Sequence, residues 1–266
     1  MRRFILAIAA SLLGVVAAHA DIQADARKIQ EAHQDAVVYL SAVIEFERRG
    51  RTREASLETL GTIISKRGLI VTSNSSLGQS PDSDGDLPKL QDLKVFMPDG
   101  AELPATLVMQ DVDLDLAFLQ IDNKDDEPTL THVSLVEEGP KYELFDHFVM
   151  VGRQEEDLER LSSVHVGRVT SVVKRPRLVY RVSGTSEEPQ GAPAFNANGD
   201  LVGLIVRKIY QGKLGSVIVL PTKAIHKVAQ QVTGPVEEKP DAQDDGDQGE
   251  PEEAIPSKTD TPEVNL

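Results

Sequence analysis

The sequence predicts an all-β domain, a barrel or a sandwich, with a short helix at each end. Three patterns predict it. Apolar residues recur at every second position, as in Ala36, Val38, Leu40, Ala42, Ile44 and Phe46, the period that lines one face of a strand. Turn signals punctuate the apolar segments: Ser65-Lys66-Arg67-Gly68, Pro98-Asp99-Gly100 and Asn198-Gly199-Asp200, each with a residue that tolerates positive φ. Helical spacing is confined to residues 21–35, where Ile22, Ala26, Ile29 and Ala32 share a face, and to residues 224–232. Regularly spaced strands with such punctuation suit a barrel or sandwich.

Residues 1–20 read as a secretory signal: Arg2 and Arg3, an apolar run over 4–16, then Ala18-His19-Ala20. Cleavage after Ala20 would make Asp21 the new N-terminus. The apolar run is too short to span a bilayer and no other stretch is long enough, so stable membrane insertion is not expected. The 266 residues include no Cys, which excludes disulfides, a cysteine-linked lipid, zinc ribbons and thiol catalysis. Export without disulfides points to a periplasmic or secreted protein. The formal charge is −15, and −17 once Arg2 and Arg3 are removed. Eleven acids and two lysines in residues 234–266 account for −9 of it. An acidic surface repels phosphate backbones, and the absence of Trp with a low aromatic content argues against a stacking platform, so nucleic acid is not an expected partner.

Taken in order, residues 36–47 predict a strand and residues 48–56 a charged hairpin loop. Thr62-Ile63-Ile64 and Leu69-Ile70-Val71 flank a turn closed by Gly68. Residues 78–91 form a polar loop with Asp82, Asp84 and Asp86 at alternate positions. This imitates a calcium loop, but Gly85 is misplaced and Leu93 stands where the closing Glu would be, so no metal is expected. Residues 93–122 read as strand, turn, strand, Asp-rich corner, strand. Residues 123–142 read as a linker punctuated by Pro. Further strands are expected at 144–152, 163–173, 178–182, 201–206 and 216–220, with a tight Gly191-Ala192-Pro193 turn between the third and fourth. Pro221 suits the first turn of the closing helix. From 234 onward Pro, Asp, Glu, Gln and Gly dominate, too little apolar surface to offset ordering entropy, so this acidic tail is expected to be disordered.

In their order and spacing these segments resemble trypsin-like serine proteases of the Do-like (HtrA) family. Residues 184–206, GTSEEPQGAPAFNANGDLVGLIV, resemble that family's nucleophile turn, a Gly-Asn-Ser-Gly-Gly-Pro turn followed by a hairpin and a strand. Thr72-Ser73-Asn74-Ser75-Ser76-Leu77 matches the segment carrying the catalytic histidine, and Asp115-Leu116-Ala117-Phe118-Leu119 the one carrying the histidine-orienting aspartate. The resemblance implies a chymotrypsin/trypsin-like double β-barrel over 36–233, with a first barrel at about 36–122 and a second at about 143–220. A PDZ domain after the barrel pair, as in many members of that family, is not expected.

The same resemblance implies that the chemistry is lost. Ser75 takes the histidine position, Gln190 the nucleophile position and Glu188 that of an oxyanion-hole glycine, leaving Asp115 and Gly191 as retained. A hydroxyl is not a base at neutral pH, and an amide does not form an acyl-enzyme. His33, His132, His147, His165 and His226 fall outside the matched position, and Ser183 and Ser186 are out of register. No cofactor or metal is implied. The expected function is a catalytically inactive homologue that binds an extended peptide or unfolded protein segment. In active relatives the strand after the nucleophile hairpin pairs with substrate, and its counterparts here are Val206, Arg207 and Lys208. The alternatives are an active serine endopeptidase with a displaced triad, and a regulatory subunit of an active protease homologue.

Overall fold

The computed structural model describes residues 22–48, 51–79, 88–122, 129–183 and 190–233. Residues 1–21, the Asp82–Asp86 loop, Ser186, Glu188 and the acidic tail lie outside the described residues, and with them the expected signal peptide, the polar loop expected to hold no metal, the glutamate at the oxyanion position and the expected disorder of the tail.

Twelve strands form two closed six-stranded barrels. The first contains β1 (Val37–Arg48), β2 (Arg51–Ile63), β3 (Leu69–Ser73), β4 (Lys89–Phe96), β5 (Glu102–Asp111) and β6 (Leu116–Ile121), in the order β1-β2-β3-β6-β5-β4. The second contains β7 (His147–Arg153), β8 (Ser162–Val173), β9 (Val179–Val182), β10 (Pro193–Phe195), β11 (Leu201–Tyr210) and β12 (Lys213–Pro221), in the order β10-β11-β12-β9-β8-β7. Helix α1 spans 22–33 and helix α2 spans Thr222–Thr233. The double-barrel fold expected from the sequence is therefore the one adopted.

Strand alternation explains how the barrels fill and how they meet. On β1, Val38, Leu40 and Ala42 point into the first barrel with Ile63, Ile70, Val95 and Leu119, whereas Val37 and Tyr39 join the second barrel's core. The interface forms from outward-facing residues of both: Ile64, Val71 and Phe118 from one, Leu204, Val206 and Ile218 from the other. Helix α2 adds Ile225, Val228 and Ala229 to that layer. At roughly 1.5–3 kcal/mol per fully buried large apolar side chain, this shared layer holds the barrels together.

Several boundaries differ from the sequence reading. Residues 51–56, expected in a loop, extend β2, and the β1–β2 ladder closes at Arg48↔Arg51. Arg51, Thr52, Arg53 and Glu54 are exposed, so this ribbon is held by backbone bonds and shows no apolar period. Leu144 to Asp146 is a turn, not the start of β7: the Glu143 N–H donates to the Asp146 carboxylate at 2.7 Å and Phe145 has φ 72°. Strands β11 and β12 run beyond their apolar cores to a tip at Gln211 and Gly212, both with positive φ. Pro221 ends β12, and α2 begins at Thr222.

Helix α1 docks on the second barrel through Ala26 and Ile29, and His33 stacks on Phe195 with ring centroids 4.3 Å apart. Burial lowers the His33 pKa below its ordinary value, partly opposed by a backbone hydrogen bond with Gly199. Because the folded pKa is the lower one, this contribution to stability is complete above the unfolded value and is lost as pH falls through the folded value. We expect His33→Phe, which keeps an aromatic ring on Phe195, to flatten the fall in Tm below about pH 6.5. Thermal melts of both proteins between about pH 4.5 and 7.5 check it, and parallel curves would refute it.

Candidate functional site

The site lies where the turn at Gly191 presses onto β2 and β3. The Gly191 N–H donates to Ile205 O at 2.8 Å, and the Ile205 N–H returns a bond to Ala192 O at 2.9 Å. Two threonines of the first barrel strap the turn down: Thr59 Oγ1 donates to Gln190 O at 3.0 Å and Thr62 Oγ1 to Gly191 O at 2.9 Å. These bonds set Gln190 facing the end of β3.

Ser75 begins a single 3-10 turn, Ser75–Leu77, just after β3. Asp115 immediately precedes β6 with φ 57°, in the left-handed region that Asp tolerates better than most residues. Its carbonyl accepts from the Asn74 N–H at 3.1 Å, and its Oδ1 accepts from the Ser75 N–H at 2.7 Å. Asp115 is 1 % exposed. Ser75, Asp115 and Gln190 thus converge, with Ser75 Oγ 3.2 Å from Asp115 Oδ2 and 3.3 Å from Gln190 Oε1.

Sequence reasoning missed the fourth member, Ser73. Its Oγ lies 2.6 Å from Asp115 Oδ2, 3.0 Å from Gln190 Oε1 and 3.2 Å from Ser75 Oγ. Each hydroxyl has one proton, and Asp115 Oδ2 takes both. No proton remains for the Gln190 oxygen. Amide oxygen and nitrogen have nearly the same shape, so bonding decides the orientation. Turned by half a rotation, Gln190 Nε2 donates to both hydroxyl oxygens and the cluster is fully matched. The available signal was a polar Thr72-Ser73 pair ending the apolar Leu69-Ile70-Val71 run, all of it buried.

Burial pushes the Asp115 carboxyl above the usual carboxylate range, opposed by bonds from the Ser73 hydroxyl, the Arg207 amide, and the Ser75 amide and hydroxyl. The cluster holds no imidazole. His33 stacks on Phe195, His132 contacts Leu130 O, His147 contacts Arg168, His165 lies on β8 and His226 on α2. Among the described residues no group of acids and histidines could hold a metal ion.

Two of the three positions expected to offer a free strand edge are already engaged. Val206 is fully buried in the interface between the barrels and faces Ile218 in the β11–β12 ladder. The Arg207 N–H donates to Asp115 Oδ2 at 2.8 Å, because a buried carboxylate needs donors. The Arg207 guanidinium reaches Gly215 O at 3.3 Å, and the Lys208 ammonium lies 6.0 Å from the Tyr210 ring centre.

The family model for the trypsin-like peptidase domain matches residues 59–204. No curated protein matches the sequence. Among solved structures, an HtrA-type protease, AlgW, in a serine-to-alanine form with a tripeptide, superimposes with a TM-score of 0.57 at 19 % identity. The match covers 79 % of this chain and 64 % of that one, so the chain spans under two thirds of the length of that structure. At that identity the likeness is one of fold. The family model, covering more than half of the sequence and the segments that carry Ser75, Asp115 and Gln190, shows that this chain belongs to the trypsin-like peptidase family.

Proposed function

We propose that this protein is an exported, catalytically inactive member of its family that uses the retained scaffold to bind an extended peptide or unfolded protein segment. The observation that carries the reading is the closed hydrogen-bond cluster of Ser73, Ser75, Asp115 and Gln190. Acyl transfer requires a nucleophile beside a base that accepts its proton. Here two hydroxyls share a carboxylate and an amide fills the space beside them. Loss of nucleophile or base in such enzymes costs on the order of a millionfold in turnover.

Support for peptide binding comes from the edge of β11, which runs past the short partner strand β10. Main-chain pairing needs no triad. With the Arg207 amide committed to Asp115, the groups left for a peptide are the Arg207 carbonyl and the backbone toward Ile209, and Arg207 and Lys208 favour acidic sequences. Export rests on the basic-apolar-Ala-x-Ala order of residues 1–20.

The purified protein is expected to take no fluorophosphonate label and to leave casein and mixed peptide substrates uncut. A labelled serine, with turnover abolished by Ser75→Ala or Ser186→Ala, would instead establish an active enzyme with a displaced triad.

A further inference from the structure

We propose that the surface where the β8–β9 turn meets the segment before β7 is a second docking site, which receives an acidic segment of another protein carrying apolar anchor residues. A groove of about 710 Å³ opens there and shares no residue with the Ser75–Asp115–Gln190 cluster. Val172 and Leu178 form its floor with the rings of Tyr142 and Tyr180. The tyrosine hydroxyls are used elsewhere: Tyr180 accepts from the Tyr142 N–H, and Tyr142 donates to Phe195 O. The floor is thus apolar.

Its rim is basic. Lys141 and Lys174 line the groove, and Arg175 and Arg177 occupy the turn between Lys174 and Leu178. None of the four forms an ion pair among the described residues, although other lysines and arginines do. The acids nearest in sequence balance them only in part: Glu138 attracts Lys141 but is itself ion-paired with Lys223 at 2.7 Å. Glu143 is the one acid in the lining, and the Asp146 carboxylate is spent on the Glu143 N–H. The concentration of cations stands out in a chain of charge −15.

The turn beside the groove is held in a conformation that exposes its apolar residues. Leu144 is 53 % exposed and Phe145 73 %, and Phe145 has φ 72°. A bulky side chain in the left-handed region is strained, and exposing it adds a hydration cost. Strain of this kind persists at binding surfaces, where a partner relieves the exposure. The combination selects the occupant. A phosphate polymer would use the cations and leave the apolar floor unused, whereas an apolar segment without acids would leave four cations facing each other. A peptide alternating carboxylates with aliphatic or aromatic side chains satisfies both.

Fluorescence anisotropy on the full-length protein tests this with three fluorescein-labelled octapeptides, alternating Asp with Leu, Asp with Gly, and Lys with Leu. The Asp/Leu peptide is expected to bind at least about tenfold more tightly than the other two, and to weaken as salt is raised to about 0.5 M. Lys174→Glu and Leu178→Ser should each cost about fivefold or more in affinity, while Lys94→Glu on the first barrel leaves it unchanged. Equal binding of the three peptides, or no detectable binding of the Asp/Leu peptide, would overturn the proposal. So would loss of binding in Arg207→Glu with Lys174→Glu unaffected, a result that removes the groove and leaves the cleft reading standing.

Discussion

Gly191→Ala is expected to cost more than about 4 kcal/mol, enough to threaten folding of a domain whose net stability is of order 5–15 kcal/mol. A Cβ at this position would lie 1.9 Å from Leu60 O and 2.7 Å from Thr72 Oγ1, with Gly191 at φ +94°. The first atom belongs to the backbone of β2 and cannot rotate away. Retreat of the turn is blocked as well, because Gly191 is bonded through its N–H to Ile205 and through its carbonyl to Thr62. The substitution thus forces the two barrels apart at the point where Gln190 is positioned. Gly100→Ala is the matched control: φ is +87°, but nothing lies within 4 Å of the added Cβ. It should cost only the intrinsic strain, about 1–2 kcal/mol. Urea unfolding followed by circular dichroism compares them, and similar midpoints for the two variants would refute the account.

What the sequence could disclose follows from which forces leave a periodic trace. The β1 alternation is legible because a barrel wall has one wet and one dry face. Gly68 and Gly199 are legible because their turns require positive φ, found at 80° and 87°. The tip of the β1–β2 ribbon was not, since backbone bonds hold it while its side chains sit in solvent. The convergence of Ser75, Asp115 and Gln190 was legible through family order and spacing. Ser73 was hidden for a different reason. Its importance comes from proton counting across two loops distant in sequence, and no local pattern records that Asp115 takes the Ser73 proton and leaves Gln190 to donate. The engagement of the Arg207 amide was hidden likewise, because a backbone group has no residue type.

Asp115→Ala should destabilise the protein by about 3–5 kcal/mol, although no reaction depends on that carboxylate in the proposed reading. It would leave the Ser75 and Arg207 amides without their acceptor, at about 1–3 kcal/mol for each buried group, and would release the Ser73 hydroxyl as well. Asp115→Asn keeps one acceptor oxygen and sets its NH2 against either the Ser75 or the Arg207 N–H, so it should fall between Ala and the parent. The pH dependence separates the charge from the hydrogen bonds. Since burial raises the folded-state pKa of Asp115, the stability tied to its neutral form is complete below the unfolded value and is lost as pH rises through the folded one. The Asn variant lacks this titration, so its deficit against the parent should shrink as pH rises across that window. Urea midpoints at several pH values check both claims. A loss below about 1 kcal/mol in Asp115→Ala would show that the donors find water instead. A large loss identifies the carboxylate as the bridge between an amide of the first barrel and an amide of the second, a role that no imidazole is needed to fulfil.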